Sequence, residues 1–388
     1  MENIMKPTIL VLGGGIGGVH AAKELSRKIG NEDGINLARI LVFERKKKSL
    51  YAPSLTWLMV GKRESDDLYR ELSKIEFNGV EVIEGEIEQV DPIAKTVTTN
   101  GETYQGDYII ISLGIAQTKS ENLIPGAHNF YTVEGAQSFH NELKSFTGNK
   151  ISILVTSLPY KSPVAPYEAA MLIDNYLREN SKRDGVEIHL YTPEEKPMPF
   201  ANPEISSRVI ELMQTKGIEY HPNHQFIEKN ENKLEFKTAS GEVVSVDPGL
   251  LVYTPKHVAP GILKEANLLG ESGWVEPNPD TLETEFENVF VIGDVIELSS
   301  EENHTMPKAG VFAQHQAEVV AHNIARKISG KSPNKTFRYK GAYILDSGDK
   351  ADKISGNFGT GGEQSSRYSA LRHWEKVLTE KAWFLNNF

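Results

Sequence analysis

Three glycines, Gly13, Gly15 and Gly18, stand in the spacing G-x-G-x-x-G between an apolar run, TILVL, and a helix-like stretch, VHAAKELSRKIG. The first glycine permits a tight turn. The second lets the backbone approach a pyrophosphate, and the third lets helix and strand pack closely, with the phosphates on the helix N-terminus. Glu44 ends the next apolar run, ARILVFE, where a carboxylate can bind a ribose hydroxyl. Strand, helix and acid agree, so the combination points to dinucleotide binding rather than to a plain glycine-rich turn. The basic run Arg45 to Lys48 that follows reads as a solvated loop. Late in the chain NVFVIGD ends in Gly293-Asp294, and Lys308 lies in MPKAG just ahead of another helix. Taken alone, Asp294 is also a good helix N-cap, and Lys308 also reads as a surface lysine at a helix start.

A second strand–turn–helix begins at Ile151, ISILVTSLPYKSPVAPYEAAMLIDNYL, and its turn has no glycine. Pro159, Pro163 and Pro166 remove amide donors and fix φ, so this backbone cannot form the usual phosphate cradle. The following strand ends at Thr192, where a ribose-binding acid would be expected, and Glu194 and Glu195 come slightly late. Ser162 lies in the turn and Glu168 in the first helical turn after it; His128 lies in a loop before the unit. Glu168 and His128 are candidates for proton transfer. They equally fit a first-turn acid favoured by the helix dipole and an ordinary loop histidine.

The elements that must position these residues repeat one plan. Strands are expected at 8–12, 38–44 and 107–114, with a hairpin turning at Asn100-Gly101. The middle of the chain repeats the order: strand 151–155, helix 166–180, strand 186–192, helix 203–217, a hairpin turning at Ser240-Gly241, and strand 249–255. This gives an α/β chain with two Rossmann-like dinucleotide-binding domains. The first is discontinuous, 1–115 and 262–335, the second spans 116–261, and 336–388 forms a C-terminal segment. In that segment KGAYILD is strand-like, SGNFGTGGEQSSR reads as a loop, and an aromatic stretch closes the chain.

Composition removes several function classes. A net charge of −11 leaves no electrostatic footprint for nucleic acid. No apolar run approaches a membrane span, and the first strand follows the N-terminus too closely for a signal peptide, so a cytoplasmic location is expected. There is no cysteine, which excludes disulfides, thiolate metal sites and cysteine redox chemistry. The eleven histidines show no metal-binding spacing, so no metal site is expected.

The G-x-G-x-x-G, the hairpin-strand TVTTNGETYQGDYIIISLG and the late VFVIGD together resemble the FAD signatures of flavoproteins with two dinucleotide-binding domains. SLYAPSLTWLMVG, PYKSPVAPYEAA, MPKAGVFAQHQAEVVAHNI and KGAYILDSGDKA narrow the resemblance to sulfide:quinone oxidoreductases and flavocytochrome c sulfide dehydrogenases. Type II NADH:quinone dehydrogenases are more distantly similar. The resemblance implies FAD held by Gly13, Gly15, Gly18, Glu44, Gly114, Gly293 and Asp294, the last at the ribityl chain. It implies Lys308 and its helix start beside the flavin pyrimidine ring. It also implies electron flow from a small donor through FAD to a quinone. The family's cysteines would fall at Ser162, near Tyr131, and near Ala342 or Tyr343. Serine cannot replace a thiol in a persulfide relay, so the donor site is altered, whether the cysteines were lost naturally or by engineering. Phe312 and Tyr343 are candidates to flank a quinone ring, or ordinary core. An NADH:quinone enzyme with an unusual NADH site and a flavin protein without turnover are the alternatives.

In these relatives a similar tail lies on the membrane near the quinone channel. Leu371, Trp374, Leu378 and Trp383 approach helical spacing among Arg372, Lys376 and Lys381. Such a segment suits peripheral contact with the inner face of the plasma membrane, or docking on its own protein or a homodimer partner.

Overall fold

The computed structural model describes residues 6–29, 37–117, 124–298, 306–359 and 363–388. In chain order the first elements are β1 (Thr8–Leu12), α1 (Ile16–Ile29), β2 (Arg39–Glu44), β3 (Val80–Glu84) and β4 (Tyr108–Ile111). Next come β5 (Ala127–Asn129), α2 (Val133–Ser145), β6 (Lys150–Val155), α3 (Ala165–Glu179), β7 (Glu187–Tyr191), α4 (Pro203–Thr215), β8 (Ile218–His221) and β9 (Leu250–Thr254). The chain closes with β10 (Val289–Val291), α5 (Gly310–Ile328), β11 (Lys340–Asp346), β12 (Ala351–Asn357), β13 (Gln364–Ser369) and α6 (Ala370–Asn387).

Two five-stranded parallel sheets carry the molecule, in the orders β10-β4-β1-β2-β3 and β5-β9-β6-β7-β8. Each is four consecutive strands in the order fourth, first, second, third, plus an edge strand from elsewhere in the chain. The repeated plan legible in the sequence is therefore a repeated topology. The central strands are apolar runs because both faces of each parallel sheet are covered, by helices on one side and by a three-stranded antiparallel sheet, residues 87–105 or 225–246, on the other. Ile9 to Leu12 and Ile109 to Ile111 are fully buried, each side chain contributing about 1.5–3 kcal/mol of burial. In α1, Val19, Ala22, Leu25 and Ile29 recur at helical spacing and face the sheet, and Arg27 and Lys28 suit its negative C-terminal end.

Local chemistry sets the turns. Asn100 and Gly101 both take positive φ, as a two-residue hairpin turn requires. Thr132 caps α2 by accepting from the Gly135 amide, and Asn202 caps α4, with Pro203 in its first turn.

The C-terminal segment differs from expectation. Most of the stretch read as a Gly/Ser-rich loop is paired antiparallel, since β12 sits between β11 and β13. Residues 360–362 lie outside the described residues. Gly356, at φ +157, packs against the backbone of residues 363 and 364, so the glycines here permit close strand approach rather than mark a loop.

Candidate active site

The carboxyl ends of β1, β2, β4 and β10 converge on the N-termini of α1 and α5. Gly13, at φ +105, leaves no room for a side chain: a Cβ there would lie 2.4 Å from the Ser112 carbonyl oxygen. A Cβ on Gly18 would lie 1.8 Å from the Gly13 oxygen, so helix and turn touch only because both positions are glycine. Gly15 and Gly114 instead face open space. The Glu44 carboxylate, at the end of β2, accepts from the Gly14 amide (2.8 Å) and the Lys46 amide (3.1 Å). Asp294 is buried; its Oδ2 meets Lys161 Nζ at 3.1 Å, and its Oδ1 has no partner. No side chain caps the N-terminus of α5. An open glycine turn, a carboxylate at the next strand end and a buried carboxylate oxygen without a donor fit a dinucleotide running along this edge.

Beyond this edge lies a cavity of about 620 Å³. Its walls are the start of α1, residues 50–56, Ile115 with Gln117, Phe130 with Tyr131, the proline turn with α3, the start of α5, and β11 with α6. Tyr131, Ser162 and Tyr343 all face it, so three separated sequence positions meet in one place. Burial pushes the Tyr131 and Tyr343 phenols upward, so both stay neutral at physiological pH.

The proline turn is closed against the segment leading into α5. Ser162 adopts φ +53, its amide donates to the Lys308 carbonyl (2.7 Å), and its own carbonyl accepts from Ala165. The Lys161 amide donates to His257 Nδ1 (3.0 Å). Behind the turn, Glu194 accepts from Tyr160 (3.0 Å), Thr192 (3.1 Å) and Tyr167. The acid that sequence placed nearest a ribose site thus points into the protein.

Burial pushes the Glu194 carboxyl up to about 7, and the three hydroxyl donors offset this only in part. The native state therefore binds this proton more tightly than the unfolded chain, whose value is near 4.5. Stability from this group is greatest below that value and falls as pH rises to about 7, a loss of about 3 kcal/mol. Urea unfolding at pH 5 and pH 8 should show that loss in the native protein and not in Glu194→Gln. An identical pH slope in both would refute the assignment.

At the far end of the cavity Glu168 is buried and bonded to Thr56, to Lys376 Nζ (2.5 Å) and to the Asp346 amide (3.1 Å). Burial raises its carboxyl, and the Lys376 charge opposes that rise. Asp346 shows the reverse balance. Burial would raise it, but the bond from His373, the Lys376 charge and the Gly348 amide hold it below the usual carboxylate range. Lys376 also lies over the Trp57 ring, at 4.8 Å.

The sequence candidates separate into two groups. Ser162 and Glu168 line the cavity; His128 and Lys308 do not. His128 is held by Glu142 on α2 (2.9 Å) and packs edge-on against Phe139, and it takes no part in the cavity because β5 is an outer strand. The Lys308 amine is buried over the Trp274 ring (3.6 Å) and donates to the Ile296 carbonyl (2.7 Å). The cation that reaches Asp294 is Lys161, which sequence reading passed over. Lys376 was noted only as a tail charge, because its bond to Glu168 spans 208 residues. Phe312 is core, packed on Tyr343 and Phe358.

Residues 7–317 match the pyridine nucleotide-disulphide oxidoreductase family. The chain belongs to that family. A pyridine nucleotide-disulphide oxidoreductase of this kind is an FAD-dependent enzyme, and FAD is the cofactor that the glycine edge fits. The chain is 26% identical over 304 residues to the mitochondrial sulfide:quinone oxidoreductase of Mus musculus, covering 75% of this chain and 66% of that one. It is 24% identical to a type II NADH:quinone oxidoreductase of Staphylococcus aureus, covering 85% of each. The solved sulfide:quinone oxidoreductase of Aquifex aeolicus shares the fold, with TM-score 0.88, 21% identity, and coverage of 98% of this chain and 91% of that one.

Proposed function

We propose that this oxidoreductase passes two electrons from a small donor, through FAD, to a quinone, and that its donor chemistry uses no sulfur relay. The observation that carries the reading is the single cavity in which Tyr131, Ser162 and Tyr343 meet next to the FAD edge. These are the positions at which the family's cysteines were expected. Oxygen replaces sulfur at two of them at least, and neither a neutral phenol nor a serine hydroxyl accepts sulfane sulfur.

FAD when bound supplies two-electron acceptance and donation. The chain's own part is to hold and orient it. Gly15 brings backbone to the pyrophosphate while Gly13 makes the turn and Gly18 packs helix on strand behind it, Glu44 takes the ribose, and Asp294 offers its free Oδ1 to the ribityl chain. Lys161 is the cation beside Asp294, and Lys308 with the start of α5 stays assigned to the flavin pyrimidine ring. Gly114 and Gly293 keep adjacent backbone clear. Glu168, with Lys376, holds a proton at the quinone end. We place the boundaries at 115, 261 and 335, so that each Rossmann-like unit carries one five-stranded parallel sheet.

The quinone reading is supported by α6. Leu371, Trp374, Leu378 and Leu385 are 61–84% exposed and lie on one face of that helix, while Trp383 is buried against Tyr51 and Phe384. Trp383 thus belongs to the docked face, and Leu385 completes the stripe. A narrow apolar stripe beside the cavity suits a lipid surface from which a quinone enters. Among the described residues no helix is long and apolar enough to cross a membrane.

NADH as donor is disfavoured by the closed turn and inward Glu194. The test is anaerobic flavin absorbance with sulfide and NADH added separately, followed by a soluble quinone. The expected result is no rapid bleaching by either donor and rapid reoxidation of dithionite-reduced flavin by the quinone. Bleaching by NADH would reinstate the dinucleotide reading of the second unit. Failure of quinone to reoxidise the flavin would refute the acceptor.

A further inference from the structure

At the outer edge of the second sheet, β7 and β8 run parallel with His189 opposite Glu219 and Tyr191 opposite His221. Alternate residues share a face, so Glu187, His189 and Tyr191 stand beside Glu219 and His221. His189 Nδ1 lies 3.0 Å from His221 Nε2 and 3.4 Å from Glu219 Oε2, and His221 Nε2 lies 3.7 Å from the same carboxylate oxygen. Three ligand atoms thus lie within 3.7 Å of one another. A tetrahedral ion with bonds of about 2.0–2.1 Å separates its ligands by roughly 3.4 Å.

The protonation pattern suits an ion. His189 Nε2 faces Glu187 Oε2 (3.3 Å), the same oxygen that Lys150 Nζ holds (3.3 Å). A proton on Nε2 leaves Nδ1 bare and aimed at His221, as in a carboxylate–histidine–metal arrangement. His221 is clamped in place, stacked on Tyr191 at 4.4 Å and met edge-on by His224, whose Nδ1 is within 2.7 Å of the Pro222 carbonyl. His189 is buried, but the Glu219 side chain is 60% exposed, which gives an ion a way in and a fourth position for water.

We propose that His189, Glu219 and His221 bind one Zn²⁺ ion in a site separate from the cavity. Two imidazoles with one carboxylate favour zinc over magnesium or calcium, which prefer all-oxygen sites. Binding shifts the His221 proton to Nδ1 and opens the histidine nitrogens by roughly 0.4 Å to reach tetrahedral spacing. The site ties β8 to β7 at the sheet edge. No spacing in the sequence announces it, because the ligands come from two strands joined by a helix.

The test uses the full-length, FAD-loaded protein after dialysis against EDTA. Zn²⁺ is titrated calorimetrically, and Co²⁺ is followed by its visible absorption at wavelengths beyond the flavin bands. One equivalent of Zn²⁺ is expected, with the intense Co²⁺ spectrum of a tetrahedral site. Glu219→Gln, an exposed change that leaves the core untouched, should weaken Zn²⁺ at least tenfold. Glu187→Gln should weaken it about ten- to a hundredfold through His189, and His221→Ala should abolish the Co²⁺ spectrum. Flavin absorbance reports that each variant is folded. Absence of a stoichiometric site in the native protein, or equal binding by native and Glu219→Gln protein, overturns the proposal.

Discussion

Gly18→Ala destabilises the cofactor half of the chain, while Gly15→Ala leaves it folded and deprives it of flavin. The difference follows from where each added methyl would go. At Gly18 it would lie 1.8 Å from the Gly13 carbonyl oxygen, a backbone atom fixed between α1 and β1. Neither element can retreat without unpacking the sheet, so the cost is about 3 kcal/mol or more, at the upper end for overpacking. At Gly15 the methyl meets nothing within 4 Å in the protein alone. It occupies the approach that a pyrophosphate needs, at about 1–3 kcal/mol of binding, or about ten- to a hundredfold in affinity. Thermal unfolding of the apoproteins and flavin content of the purified proteins separate the two effects. If Gly15→Ala keeps full flavin while Gly18→Ala does not, the glycines serve packing only and the phosphate site lies elsewhere.

Glu168→Gln should lower quinone turnover about a hundredfold or more, the range typical of a lost proton-transfer group, with flavin content unchanged. Burial raises this carboxyl, the neighbouring Asp346 charge adds to the rise, and its cationic partner Lys376 opposes both. Lys376→Met removes that partner. The carboxyl then titrates at higher pH, and the limb of the pH–rate profile that reports it moves upward. The shift should vanish in the Glu168→Gln, Lys376→Met double variant, because the group that titrates is gone. Turnover by Glu168→Gln at the native rate would remove Glu168 from the mechanism, whatever the effect of Lys376. A merely structural role would change stability without moving the pH profile.

Local features of this chain were open to sequence reading. β1 has the predicted bounds, the Asn100-Gly101 turn has both positive φ values, and the glycine spacing met the required strand and helix. Each depends on residues within a few positions of one another. Sequence also brought Ser162, Tyr131 and Tyr343 into one argument through family resemblance, and the cavity joins them in space. What escaped were side-chain directions and long-range partners. Lys308 and Lys161 are both lysines in plausible loops, and only packing decides that one amine lies over Trp274 and the other reaches Asp294. The stretch after Ser355 looked like a loop because glycine and serine are poor strand formers. Its first residues pair with β11 and its last with β12, so long-range partners and not its own propensity make it strand.

The closed proline turn also governs how the two Rossmann-like halves can move. Ser162 donates to the Lys308 carbonyl, Lys161 pairs with Asp294, and the Lys161 amide is held by His257. The first two ties join the mouth of the second sheet to the mouth of the first, and the third holds the turn itself in place. Swinging one half over the other would break these ties, so the proposed donor and acceptor are expected to reach FAD without such a movement.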